Sequence, residues 1–154
     1  MSVVYYDEQG YINLMKDVLE NGVQTPDRTG VGCYKVFDRK LVWNVGKQFP
    51  FSTFRSNPLS MAYKEFWFFM KGLTDTNILY NQGVKFWEGN TTREFLDGRG
   101  LKHLPAGDMG KAYGYQWRNF SDEFDQLMEI SHTLLNDPYS RRMVTTFWNP
   151  AQSK

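Results

Sequence analysis

Residues 61–70 are apolar on nearly every side, with Lys64 and Glu65 as the exceptions. A helix that is hydrophobic all round has to be buried. This segment therefore constrains the chain more than any other, because whatever forms must wrap around it. A length of 154 residues leaves room for such a core within one domain, expected over 1–154. Aromatic residues make up 17% of the chain and are spread along it, which argues against disorder.

The elements expected around this helix follow from periodicity and punctuation. Tyr11, Leu14, Met15, Val18 and Leu19 recur at helical spacing, with Asp7 as the N-cap and Gly22 as the left-handed C′ residue. Segments 33–37 and 41–45 read as two strands joined tightly at Asp38 and Arg39. Pro58 suits the start of the apolar helix and Gly72 its end. A short helix over 75–82 closes at Gly83, and a helical piece covers 92–96. Phe124, Leu127, Met128, Leu134 and Leu135 make an amphipathic helix that stops near Pro138, and 143–148 reads as a final strand. Helices mixed with strands predict an α/β or α+β fold. A strand is an awkward last element, so the fold is expected to be incomplete at its C-terminus.

Composition excludes several classes of function. The net charge is +1, so no basic face for nucleic acid or a membrane surface is expected. The longest apolar run, 66–70, is far too short to span a bilayer, and the N-terminus has no basic segment followed by an apolar run. A single cysteine, Cys33, forms no internal disulfide, and a cytoplasmic location is the natural reading. There is no P-loop and no dinucleotide fingerprint. His103 and His132 lack metal-ligand spacing, so no metal is expected.

A few residues stand out as chemistry. Glu65 is a carboxylate among aromatics, where ionisation is costly without partners, and such groups concentrate at functional sites. Its bland alternative is a surface pair with a nearby lysine. Arg28 sits before Gly30 and Gly32, in a turn that can expose amides and a guanidinium to an anion, or simply be a surface turn. Arg141 and Arg142 precede the last strand, where adjacent side chains alternate in direction. Trp87 offers a flat face for a heterocycle, or is core. Tyr113 lies between Ala112 and Gly114, which leaves its hydroxyl accessible. Cys33 opens an apolar strand and reads as a small buried hydrophobe.

The order of these residues is more specific than any one of them. Asp27-Arg28-Thr29-Gly30, Phe49-Pro50, Glu65-Phe66-Trp67, Val84-Lys85-Phe86-Trp87, Gly107-Asp108-Met109-Gly110, Tyr113-Gly114-Tyr115-Gln116-Trp117-Arg118 and Ser140-Arg141-Arg142 with Trp148-Asn149-Pro150 together resemble the thymidylate synthase family over nearly the whole chain. The resemblance implies that family's mixed sheet with packed helices. It also implies methylation of deoxyuridine monophosphate (dUMP) at C5, with 5,10-methylenetetrahydrofolate as co-substrate and a homodimer as the active unit. By the same resemblance Arg28, Arg141 and Arg142 match phosphate-binding arginines, the last two reaching into the partner's site. Glu65 matches a proton-transferring glutamate, Trp87 a residue beside the folate ring, and Tyr113 a tyrosine near the nucleophile. Arg55 falls where a lysine near the folate's glutamate tail is usual.

The family's Pro-Cys-His nucleophile segment follows shortly after such a Trp-Asn-Pro motif, and it does not occur within these residues. The chain alone is therefore expected to be inactive. Phe51, Arg55, Glu88, Lys111 and Asp38 depart from the family's usual residues. Those departures keep two alternatives in view: a pyrimidine-nucleotide hydroxymethylase using the same folate, and a truncated remnant that binds nucleotide without catalysis.

Overall fold

A computed structural model describes residues 3–152, and among these residues it has four short strands, six α-helices and two short 3-10 helices. This is the mixed α/β architecture expected. The chain divides between Asn57 and Pro58 into two compact units.

The first unit opens with β1 (Val3–Tyr6), which runs directly into α1 (Asp7–Asn21); β2 (Val23–Thr25), β3 (Cys33–Lys35) and β4 (Arg39–Val42) follow. β1 pairs in parallel with β4, Val3 opposite Arg39 and Tyr6 opposite Val42. Parallel neighbours need a long crossover, and α1 lies within it. β2 and β3 form an antiparallel pair with Thr25 opposite Cys33. The hairpin expected between 33–37 and 41–45 does not form. Asp38 does make a tight turn at φ 54°, but it passes the chain from one strand pair to the other. Two further corrections concern α1. Asp7 is its first residue rather than its cap, and Gly22 sits extended at φ −72° instead of left-handed.

One carboxylate ties this unit together. Asp17 on α1 accepts hydrogen bonds from Arg39 Nε of β4 (2.5 Å), Tyr5 Oη of β1 (2.8 Å) and Asn21 Nδ2 (2.8 Å). The Arg39 guanidinium first, then Asn21 and Tyr5, lower the Asp17 carboxyl from 3.8 to about 2. A depressed folded value means that the stabilisation is complete above 3.8 and is lost as the pH falls through about 2. Acid titration followed by circular dichroism should show the first unit weakening across that window, and Asp17→Asn should flatten the dependence. An unchanged acid profile in that variant would rule out Asp17 as the lock.

The second unit is built on α2 (Leu59–Met70). Pro58 is its N-cap, and its carbonyl accepts from Met61 and Ala62 amides at 2.9 and 3.2 Å. Its C-terminus is a Schellman motif: Gly72, at φ 68°, donates to Phe69 O (2.9 Å) while Leu73 donates to Phe68 O (3.2 Å). The apolar core is the cluster of Phe68, Leu79 and Val84, with Met61, Phe69, Leu73, Trp87 and Met109 packed against it. The expectation that α2 is buried on all sides holds only in part. Phe68 is 3% exposed, but Phe66 and Trp67 on other faces of the helix are 50% and 44% exposed.

The remaining helices are α3 (Asn77–Tyr80), α4 (Arg93–Gly98), α5 (Gly114–Arg118) and α6 (Gln126–Asn136). Thr92 caps α4 through the Phe95 amide, and Asp125 caps α6 through the Met128 amide. Helix α5 has no periodic signature in the sequence, being barely more than one turn. The strand expected over 143–148 is absent, because no strand lies beside it among the described residues. A side chain substitutes for the missing partner. Gln126 Oε1 accepts from the Thr146 amide (2.9 Å) and Gln126 Nε2 donates to the Thr146 carbonyl (2.6 Å).

Candidate functional site

Glu65, Trp87 and Tyr113 are far apart in sequence and meet in the second unit. Trp87 is held from two sides. Its ring packs against the Phe68, Leu79 and Val84 core, and its carbonyl accepts a hydrogen bond from Thr91 Oγ1 at 2.9 Å. Thr91 Oγ1 lies 3.0 Å from Thr76 Oγ1, and the amide and hydroxyl of Thr76 both donate to Gly107 O, at 2.8 and 2.7 Å, so the loop after α4 is pinned to the helices. From this anchored position Trp87 Nε1–H donates to Glu65 Oε1 at 2.6 Å. The polar partner that an aromatic-lined carboxylate requires is thus an indole, and not the lysine of the bland alternative.

Tyr113 completes the arrangement. Its ring lies 5.4 Å from that of Trp87 and 5.4 Å from that of Phe69, with Phe147 at 5.7 Å. This approach depends on Gly114, because a Cβ there would overlap the Phe69 backbone, so α5 can lie directly on α2. Glu65 is half-buried and Tyr113 is exposed, which leaves the cluster open to a ligand on one side. Chemically this is one carboxylate, oriented by a fixed N–H donor, beside stacked rings and one accessible phenol.

The arginines are arranged differently. Arg28 is exposed on the loop between β2 and β3. That loop is organised by Asp27, whose Oδ1 accepts the Thr29 and Gly32 amides, each at 3.1 Å. These amides are therefore turned onto Asp27 and not offered to an anion, while the Arg28 side chain projects outward. The Thr29 hydroxyl, followed by the Gly32 amide, holds the Asp27 carboxyl below its ordinary value. Arg55 lines a cleft of about 540 Å³ in the first unit with Tyr11, Trp43, Phe54 and Asn57. Glu8 shapes that wall by accepting from the Thr53 and Phe54 amides.

Arg141 and Arg142 follow α6 in a turn, not a strand, so strand alternation does not set their directions. Arg142 borders a cleft of about 390 Å³ beside α6 with Glu129, His132 and Asp137. The ion pairs among the described residues use Arg39, Arg93, Lys111 and Arg118. Arg28, Arg55, Arg141 and Arg142 take no part in them. Cys33 is half-buried in β3 with Sγ 3.3 Å from Thr25 Oγ1, as a packed strand residue would be.

Sequence reasoning missed Phe69, Thr91, Gln116 and Phe147. Phe69 and Phe147 lie in apolar runs that say nothing about which ring faces which. The sequence signal for Gln116 was its place among Tyr113, Tyr115 and Trp117, where a polar side chain needs partners.

Comparison with known proteins bears on the family. The family described as thymidylate synthase matches residues 9–154. A thymidylate synthase of Candida albicans is 39% identical over 93% of this chain and 50% of its own length. One from equine herpesvirus 2 is 37% identical over 97% of this chain and 56% of its own length. A bifunctional dihydrofolate reductase-thymidylate synthase of Zea mays is 35% identical over 97% of this chain. The chain spans between 31% and 56% of the length of these relatives. With a family match over almost all of its residues, the chain belongs to the thymidylate synthase family.

Proposed function

We propose that this chain supplies the first part of a thymidylate synthase that converts dUMP to dTMP by methylation at C5. The observation that carries the reading is the meeting of Glu65, Trp87 and Tyr113, held by the 2.6 Å indole–carboxylate bond. In this reading Glu65 holds and moves a proton at the pyrimidine, with its carboxyl oriented by Trp87. Tyr113 borders the reacting carbon, and Trp87 presents its ring to the folate. The co-substrate 5,10-methylenetetrahydrofolate supplies the one-carbon unit and the hydride. Arg55 meets the folate's glutamate tail. Arg28 binds the nucleotide phosphate together with Arg141 and Arg142 of a second copy, so the working unit is a homodimer. Several guanidinium forks suit a dianionic phosphate. Attack at C6 needs a thiolate. Cys33, packed in β3, is assigned no part in it, so the reading requires a thiolate from a Pro-Cys-His segment outside these residues. We place the protein in the cytoplasm.

The test is tritium release from dUMP labelled at C5, with the product identified by mass, on the protein isolated from its source. Formation of dTMP supports the reading, a hydroxymethylated product transfers it to the sister activity, and no release sinks both. The arginine assignment has its own check. Each charge-assisted hydrogen bond contributes about 1.5–3 kcal/mol, so Arg142→Ala should weaken dUMP binding by about 10- to 100-fold. Binding of deoxyuridine, which has no phosphate, should be unchanged. Equal loss for both compounds would remove Arg142 from the phosphate site.

A further inference from the structure

Tyr113 occupies a backbone conformation that side chains rarely adopt, with φ 34° and ψ −96°. A residue in such a region persists only where its surroundings over-determine it. The group that does so here is Gln116. Its side chain is 2% exposed, among the most deeply buried in the chain, and every polar atom it carries is engaged. Nε2 donates to the Lys111 carbonyl at 2.7 Å and to Gln152 Oε1 at 2.6 Å, while Oε1 accepts from Asn149 Nδ2 at 3.1 Å. The first of these bonds runs backward across Tyr113 and closes residues 111–116 into a loop with the strained residue inside it. The other two fix the segment just after Phe147, whose ring lies 5.7 Å from that of Tyr113. A single amide therefore sets both the backbone of Tyr113 and the wall it rests on. Lys111 is itself restrained at its other end, because Nζ is paired with Asp122 at 2.5 Å. The Gln116 carbonyl accepts from Gln126 Nε2 at 2.7 Å, which ties the hub to α6.

We propose that Gln116 is a positioning residue that holds Tyr113 in its strained conformation against Trp87 and Phe69. The inference leans on the proposed function only for the statement that Tyr113 belongs to the catalytic site. A buried glutamine that merely stabilises the unit would leave Tyr113 where it is when altered mildly, and this separates the two roles. Gln116→Glu is nearly isosteric but replaces the Nε2 donor with a carboxylate oxygen, so the Lys111 carbonyl and Gln152 Oε1 both lose their partner.

The experiment labels the chain with 3-fluorotyrosine, assigns the Tyr113 fluorine resonance through Tyr113→Phe, and repeats the spectrum in Gln116→Glu. The Tyr113 resonance should move by more than its line width while that of Tyr5, in the first unit, stays in place. A second measurement compares Tyr113→Gly with Tyr113→Ala in both the Gln116 and the Gln116→Glu backgrounds, so that the greater unfolded-state freedom of glycine cancels and tolerance of positive φ remains. Gly should melt higher than Ala when Gln116 is present, and the gap should close in Gln116→Glu. If Gln116→Glu does not fold, Asn149→Ala loosens the same side chain and should shift the same resonance by less. An unmoved Tyr113 resonance in the folded variant, or a Gly–Ala gap that persists without the Gln116 amide, overturns the inference. Neither measurement needs turnover. A failed dUMP assay would therefore count against the proposed function and not against this placement of Tyr113.

Discussion

Glu65→Gln should lower turnover by about 10²- to 10⁴-fold, the range that a positioned general acid–base contributes. Nucleotide affinity should stay near its original value. The substitution isolates one property of the side chain. Glutamine keeps the length, and its amide oxygen can still accept the Trp87 Nε1–H bond that defines the site. What it cannot do is gain and lose a proton. The Trp87 ring, anchored in the Phe68 core, should stay in place, and so should Tyr113 beside it. The comparison requires kcat and the dissociation constant of dUMP measured separately in the intact protein. A fall in kcat alone assigns an interaction made in the transition state, whereas an equal loss in both would show that Glu65 only binds. Trp87→Phe is the companion variant. It keeps an aromatic ring but removes the donor, so its effect should appear in kcat through a disoriented carboxylate.

The largest effect on stability is expected at Phe68. Phe68→Ala should cost about 3–5 kcal/mol, the sum of lost transfer energy and the cavity left behind. Folded domains have about 5–15 kcal/mol in all, so this change alone should bring the second unit close to unfolding at ordinary temperature. The cost should be at the upper end because the site cannot collapse easily. Leu79 and Val84 are held by the turn at Gly83, where the Val84 amide donates to Leu79 O at 2.9 Å, and they cannot slide into the gap. Urea denaturation followed by tryptophan emission would read it. Phe66→Ala, on an exposed face of the same helix, is the control and should cost little. Equal midpoints for the two variants would mean that the core is not where Phe68, Leu79 and Val84 place it.

These two residues show how far a one-dimensional reading reaches. Glu65 was visible because a carboxylate inside an aromatic run conflicts with its surroundings, and such local conflict marks functional positions. Phe68 was visible as apolar but not as the one residue of its run that is fully buried. Periodicity cannot rank faces when nearly every position of a helix is apolar. The strands failed for a related reason. Segments of three or four residues carry almost no periodic signal, and β3 and β4 found partners outside the hairpin that adjacency suggested.

Lineage, the bounds of the apolar helix and the roster of candidate residues were legible from residue order alone, whereas the caps expected for α1 were not those it adopts. The legible features depend on residue type and order: Pro58 at the start of the apolar helix, Gly72 at its end, and motifs in a fixed succession. Which members of that roster come together depends on packing that residue order does not reveal. Glu65, Trp87 and Tyr113 meet because the Phe68 core anchors the indole and because Gly114 lets α5 lie against the Phe69 backbone. The strained φ of Tyr113 and the buried amide of Gln116 likewise exist only once the loop closes. A backbone angle forced by long-range hydrogen bonds leaves no mark on the identity of the residue that bears it.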